Sequence, residues 1–240
     1  MHSDSSSHIE DDRPDERGSV AAMPSSAHAG PQACPICGSN RLVEFSGRPE
    51  ARCEECDALE RHRALARQMS ALLEDGAGRG ALEAGPASPR VFGGFLRERS
   101  WQYQSIDQSR RGNPRDPRAV GFIDHEADLR DLSPFADSSM HLVIVQHVIE
   151  EIVDFELALA ELARVLAPEG AALLEIPFDP ALEKSERHPP NHFGNVWRFG
   201  ADLPFMVGEH FADVDVVGLR EAGYFGRLLV CRHLSQSITA

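Results

Sequence analysis

Four of the five cysteines in this 240-residue chain fall in two pairs, Cys34-Pro35-Ile36-Cys37 and Cys53-Glu54-Glu55-Cys56, and no other feature limits the fold as tightly. The spacing C-x2-C-x15-C-x2-C lies in the range of tetrahedral zinc sites, each pair offering two thiolates from one tight turn. Gly38 supplies backbone freedom after the first pair. A site with sulfur ligands alone leaves no position open for water. It is therefore structural, because a catalytic zinc keeps one ligand position free. So short a module cannot build a core of its own, and a metal substitutes for it. Two redox-active pairs, or a lost site with free thiols, are the alternative readings. Cys231 falls in an apolar strand-like run and reads as an inert core residue.

Composition narrows the function. The chain carries 24 Lys and Arg against 38 Asp and Glu, a formal charge of −14, which argues against life on a phosphate backbone. Between the cysteine pairs, Arg41, Arg48 and Arg52 are offset by Glu44 and Glu50, and Phe45 is the only aromatic residue. Single-strand recognition needs a basic face interleaved with aromatics, so no nucleic-acid partner is expected. No apolar run approaches the roughly 20 residues that a bilayer span requires, and no membrane association is expected. Residues Met1 to Glu10 lack an apolar signal-peptide core. The expected location is the cytoplasm.

Four segments follow one another. Residues 1–32 are rich in Ser, Asp and Glu and read as a disordered tail. Residues 33–57 form the cysteine module. Residues 58–89 comprise a helix, with Leu59, Leu65, Met69, Leu72 and Leu73 near one face, and then a Gly- and Ala-rich linker over Glu74 to Pro89. From residue 90 to 240, strand-like runs alternate with helical ones. The runs are Arg90–Phe92, Tyr103–Ile106, Val120–Ile123, His141–Gln146, Ala171–Ile176, Val214–Leu219 and Arg227–Cys231. An amphipathic helix over Phe155–Leu166 precedes Pro168 and Gly170, which stop it. This alternation implies an α/β fold with a largely parallel sheet covered on both faces. The last two strands, joined by a short turn, should pair antiparallel at one edge.

The run Ala127-Asp128-Leu129 … Leu132-Ser133-Pro134-Phe135-Ala136-Asp137-Ser138-Ser139-Met140-His141-Leu142-Val143-Ile144 resembles the class I S-adenosylmethionine-dependent methyltransferases, whose "D-L … L-P-F-x-D-x-S-F-D-L-V" leads into the fourth strand. His147-Val148-Ile149-Glu150-Glu151-Ile152 is similar to their "H-V-L-E-H-V", and Ala160–Gly170 to "E-x-x-R-V-L-K-P-G-G". The cysteine module followed by Leu59-Glu60-Arg61-His62-Arg63 resembles a bacterial subgroup that carries "L-E-R-H-R" before the catalytic domain. His192–Gly200 is similar to that subgroup's "F-G … H-V-R-x-Y-G". The resemblance implies a doubly wound, mostly parallel, seven-stranded Rossmann-like sheet behind an N-terminal zinc ribbon, with zinc and S-adenosylmethionine as its cofactors.

The resemblance also places a site. Asp107, ending a strand, stands where the ribose acid belongs; Asp128 and the backbone of Leu129 stand at the adenine position; Gln146 and His147 lie by the methionine and the reacting methyl. Gly93 and Gly94, after the expected strand Arg90–Phe92, take the place of the family's "E/D-x-G-x-G-x-G" loop, without its leading acid and third glycine. His147 is the candidate general base, since an unperturbed histidine titrates near 6.5. Glu150 could bind a substrate amine or orient it. Arg61, His62 and Arg63 are candidate anion ligands, with a solvated helix face as the alternative. Trp197 and Arg198, with His188 and His192, belong to an insertion that could cover a substrate; Pro189 and Pro190 remove the register that would align the two histidines on a metal. The resulting expectation is methyl transfer to a small-molecule acceptor. A non-catalytic binding module, a polymer modifier, and aminocarboxypropyl transfer or cyclisation are the competing readings. Oligomeric state is open.

Overall fold

The computed structural model describes residues 33–73, 75–88, 90–109 and 123–233, which belong to one compact unit. The expected tail 1–32 lies outside these residues, as does most of the expected strand Val120–Ile123. Among the described residues no helix is long and apolar enough to cross a membrane.

The chain begins with an antiparallel hairpin of β1 (Leu42–Phe45) and β2 (Arg48–Cys53), in register Leu42↔Cys53. Helix α1 (Glu60–Leu72) follows. Next comes β3 (Gly80–Ala84), in the stretch expected to be a linker. Its sequence, Gly-Ala-Leu-Glu-Ala, holds no β-branched or aromatic residue, so propensity does not reveal it. It is a strand because β4 (Gln102–Asp107) and β6 (Met140–Gln146) pair with it on either side. Arg90–Phe92, expected to be a strand, is instead a turn entering helix α2 (Phe92–Arg97). Phe92, Phe95 and Leu96 are all buried there, at the i, i+3, i+4 spacing of a helix face.

The remaining elements are β5 (His125–Glu126), a single 3-10 turn (Ile149–Glu151), α3 (Phe155–Val165), β7 (Leu166–Glu175), a small hairpin of β8 (Glu186–Arg187) and β9 (Trp197–Arg198), α4 (Leu203–Gly208), β10 (Asp213–Glu221) and β11 (Tyr224–Arg232). Seven strands form one sheet in the order β10-β11-β7-β6-β3-β4-β5. β7, β6, β3, β4 and β5 are parallel, and β11 runs antiparallel to both β7 and β10, as the short terminal turn implied. The fold is the expected α/β, Rossmann-like sheet.

Alternation along the strands sends side chains to two separate cores. Leu142 and Ile144 of β6, with Leu228 and Val230 of β11, pack against α1, α2 and the cysteine module. Val143 and Val145, with Leu229 and Cys231, pack against α3 and α4. Cys231 is fully buried there, and burial pushes its thiol up to about 12, in keeping with an inert core residue.

Candidate functional site at the strand ends

The sheet changes direction at β3. The chain runs from β3 to β4 and β5 on one side and resumes with β6 and β7 on the other. Ligands in open α/β sheets bind beyond the carboxyl ends of the strands at such a point. Gly85, immediately after β3, has φ +63°, and a Cβ there would sit 2.7 Å from Val148 Cγ2. Its N–H donates to the Ile106 carbonyl at 2.9 Å. The glycine turn is therefore Glu83-Ala84-Gly85, with the leading acid present as Glu83.

Gly93 and Gly94 do not form this turn. Both lie in α2, where a Cβ at Gly93 would come within 3.1 Å of the Tyr103 ring while Gly94 faces open space. The absent strand signal over Gly80–Ala84 moved the reading eight residues too far along. Ala87 and Pro89 occupy the positions of the second and third glycines. Glu83 is buried and pushed up to about 8 by desolvation, although the Tyr103 hydroxyl donates to it.

Asp107 ends β4 beside this turn. Burial raises its carboxyl above the usual range, partly offset by the N–H groups of Ser109 and Gln108. Asp128 lies near it in the next turn, with Arg130 clamping both its oxygens at 3.0 and 2.7 Å. That pairing holds its carboxyl below the usual range. Leu129 follows with its side chain buried. Gln108, Glu126, Ala127, Asp128 and Arg130 line a cleft of about 360 Å³ at this end of the sheet.

On the other side of β3 lies a cluster centred on Glu175, the last residue of β7. Glu175 is 2% exposed and accepts hydrogen bonds from the Gln146 amide and the Tyr224 hydroxyl. Tyr224 opens β11, so the antiparallel hairpin reaches back over the strand ends. His147 has a left-handed φ of 53°, unusual without glycine, and its backbone N–H donates to the Glu175 carbonyl at 3.0 Å. Its Nδ1 is 3.3 Å from Glu150 Oε1 and its Nε2 3.7 Å from Glu175 Oε1. Desolvation lowers its basicity, but the two carboxylates outweigh it and raise its pKa to about 9. Near neutrality His147 is thus an imidazolium, not the base expected from an unperturbed ring. Glu150, itself buried, orients this ring, and its Oε2 has no hydrogen-bond partner.

The three α1 candidates separate sharply. Arg63 is fully buried and its guanidinium donates to the carbonyls of Ala51, Ala58 and Glu50 and to Glu221 Oε1 at 3.2 Å. His62 is 3% exposed and accepts the Leu59 N–H at 3.1 Å. Both hold the helix start in place, and neither faces a substrate. Nor is Arg63 on a solvated face, because the hairpin β1–β2 and β10 cover that side of α1. Arg61 is half-buried; desolvation draws its pKa down, opposed through space by Glu175, Tyr224 and Glu60.

Residues 83–174, from the end of β3 to the last turn of β7, match a family model described as a methyltransferase domain. That match covers the Rossmann-like sheet from the Gly85 turn to β7. The chain's fold is shared with the Burkholderia thailandensis 1,6-didemethyltoxoflavin-N1-methyltransferase solved with S-adenosylhomocysteine, at 16% identity, TM-score 0.52, and coverage of 71% of this chain and 76% of that one. A S-adenosylmethionine-dependent methyltransferase structure from Listeria monocytogenes is similar at 11% identity and TM-score 0.51, covering 71% of this chain and 96% of that one. A Haloferax volcanii methyltransferase, solved in complex with the Trm112 methyltransferase activator, is similar at 16% identity and TM-score 0.50, over 72% and 91%. Identities this low show the fold. No curated protein sequence matches the chain.

Ahead of the matched residues, the sulfurs of Cys34, Cys37, Cys53 and Cys56 lie within 4.8 Å of one another. Cys34 and Cys56 are 3.7 Å apart and Cys37 and Cys53 3.5 Å, far too long for disulfides. A tetrahedral ion with metal–sulfur bonds of about 2.3 Å sets its sulfurs about 3.8 Å apart. Each pair closes with a left-handed residue directly after its second cysteine, Gly38 at φ 75° and Asp57 at φ 64°. The donor set fits zinc. Among the described residues, His188 and His192 join no such group.

The insertion after β7 contributes packing. Trp197 stacks on Phe199 and donates its indole N–H to the Ile152 and Val153 carbonyls, both at 3.1 Å. Arg198 pairs with Asp179 at 3.0 Å on the surface. The Trp197 bonds tie the insertion to the segment before α3 and spend its indole N–H, while Arg198 stays on the surface. Glu175 and Tyr224 were missed from sequence; a tyrosine between glycines at a hairpin tip, Gly223-Tyr224-Phe225-Gly226, was the available signal.

Proposed function

We propose that this protein transfers a methyl group from S-adenosylmethionine to a small-molecule acceptor and that its four cysteines hold a structural zinc ion. The observation that carries this reading is the meeting of the Gly85 turn, Asp107 and the Gln146–His147 step at the point where the sheet reverses. S-adenosylmethionine brings a methyl group already activated on a sulfonium, so the protein contributes mainly alignment.

Asp107 accepts from the ribose hydroxyls, and two such donors would offset the burial that raises its carboxyl. The cleft beside Asp128 and Leu129 takes the adenine. Gln146, its amide fixed on Glu175, stands by the methionine portion. His147, held charged by Glu150 and Glu175, acts as a hydrogen-bond donor at the reacting end and does not accept a proton near neutrality. A small acceptor is favoured over a nucleic acid because the arginines of the cysteine module are matched by acids: Arg41 by Glu54 at 2.7 Å and Arg48 by Glu60 at 2.7 Å.

Calorimetric titration of the zinc-loaded chain with S-adenosylmethionine and S-adenosylhomocysteine tests the reading. Saturable binding of both, followed by an acceptor screen read by product mass, supports it. Absence of binding to either leaves a scaffold without this chemistry.

A further inference from the structure

Tyr224 reaches a buried carboxylate by folding its ring over its own strand. Ala222 and Gly223, left-handed at φ 44° and 82°, make a two-residue turn that pairs Tyr224 with Glu221 at the tip of the β10–β11 hairpin. β11 pairs with β7 only up to Leu229↔Leu174, so Tyr224 lies beyond the part of the ladder that faces β7. Its ring has to run back along β11 to meet Glu175. The path crosses Gly226, where a Cβ would stand 2.5 Å from the Tyr224 hydroxyl oxygen and 2.8 Å from two ring carbons. Any side chain at that position forces the ring aside.

The carboxylate it meets divides its two oxygens. Glu175 Oε2 accepts the Gln146 amide and Oε1 accepts the Tyr224 hydroxyl. His147 Nε2 stands 3.7 Å from that same Oε1, beyond hydrogen-bond length, and has no bonded partner. Glu150 faces the other ring nitrogen at 3.3 Å. Burial and the Glu175 carboxylate raise the pKa of the phenol, so Tyr224 keeps the proton it donates. The hairpin does not need this bond to hold its place: every residue of β10 pairs with β11, and Arg63 and Arg67 both grip Glu221. What the bond fixes is Glu175, and through it Gln146 and His147.

Resting on the methyltransferase reading above, we infer that Tyr224 is a positioning residue of the transfer site, whose hydroxyl turns the Glu175 carboxylate so that it fixes the Gln146 amide and leaves His147 Nε2 unbonded, with Gly226 as the space its ring requires. The terminal hairpin thereby acts on the end of β6 from outside the residues that match the methyltransferase family, which stop at 174.

The test uses the zinc-loaded full chain, labelled isotopically at the nitrogens of histidine and glutamine and followed by nuclear magnetic resonance. Tyr224→Phe keeps the ring and removes the donor. His147 Nε2–H should then take Glu175 Oε1: its resonance moves downfield, the imidazole titrates higher than the value of about 9 in the unmutated chain, and the Gln146 amide signals shift. S-adenosylhomocysteine affinity should fall by about three- to tenfold, the worth of one hydrogen bond. Gly226→Ala keeps the hydroxyl but displaces the ring, so it should give the same histidine shift, and the double variant no more than either alone. Unmoved His147 and Gln146 resonances in Tyr224→Phe overturn the inference even where the thermal midpoint falls, since a structural clasp would do only the latter. Unchanged affinity in that variant, or additive effects in the double variant, overturn it too. Should Tyr224→Phe not fold, the histidine titration in Gly226→Ala decides. In the unmutated chain the Tyr224 hydroxyl proton, held on a buried carboxylate, should appear downfield and exchange slowly; its absence counts against the inference in the same way. Failure of S-adenosylhomocysteine to bind the unmutated chain defeats the methyltransferase reading itself. The histidine titration needs no ligand, so the two failures are told apart.

Discussion

The junction where the cysteine module and α1 meet the β10–β11 hairpin differs in kind from the strand ends only a few residues away. At the junction every polar group of the buried Arg63 is satisfied, and Arg67 adds a second bond to Glu221 at 2.7 Å. At the strand ends, Glu150 Oε2 and His147 Nε2 lack hydrogen bonds and His147 sits in a left-handed conformation. The junction too holds unpaired buried atoms, Arg52 Nε and Glu60 Oε2, so the contrast lies in how they are arranged: Arg63 is fully bonded, whereas the unpaired atoms of Glu150 and His147 belong to one strained pair at the strand ends.

Metal removal should break the comparison most severely. Apparent zinc binding energies in small modules reach about 10–16 kcal/mol, and much of that is folding energy. Chelation is expected to open residues 33–57 to protease and lower the thermal midpoint, while elemental analysis of the intact protein gives one zinc per chain. Arg63→Met comes next: breaking a buried pair costs about 3–5 kcal/mol, read from the urea midpoint, with cofactor affinity retained in the folded fraction. Asp107→Ala should do the reverse. Stability stays near that of the parent while S-adenosylhomocysteine binding weakens by about 10- to 100-fold, the worth of a charged hydrogen bond.

Two smaller effects sharpen the same contrast. The pKa of His147 is raised from 6.5 to about 9, so its protonated form stabilises the fold fully below pH 6.5, and that contribution is lost as pH rises through 9. A nuclear magnetic resonance titration of the imidazole should show the high value, and Glu150→Gln should move it down. Gly94→Ala should stabilise α2 by up to about 1 kcal/mol with unchanged cofactor affinity, because the added methyl meets nothing. Gly85→Ala should harm both, since it meets Val148 from a left-handed backbone.

Periodicity and turn chemistry were enough for β4, β6, β7, β10, β11 and α3, whose apolar residues recur at clear spacings. β3 escaped because its state is imposed by neighbours on both sides; a five-residue stretch of Gly, Ala, Leu and Glu carries little preference of its own. That one omission moved the glycine turn from Gly85 to Gly93 and hid Glu83. The cysteine site was legible because its ligands are close in sequence. Asp107, Asp128 and His147 stand at strand ends and turns, where position within a motif locates a residue. The Glu175 cluster was not legible, since Glu175 and Tyr224 are 49 residues apart and only an antiparallel return brings them together. Nor could sequence tell Arg61 from Arg63: two residues on one helix differ by what the rest of the fold lays over them.

The bond between Arg63 and Glu221 spans 158 residues and joins α1 to the β10–β11 hairpin. During synthesis the cysteine module and α1 emerge first, and they must wait for β10 before that guanidinium finds its carboxylate. Contacts of such long range form late and slowly. The last hairpin supplies both Glu221 to Arg63 and Tyr224 to Glu175, so one element fastens α1 and completes the strand-end cluster.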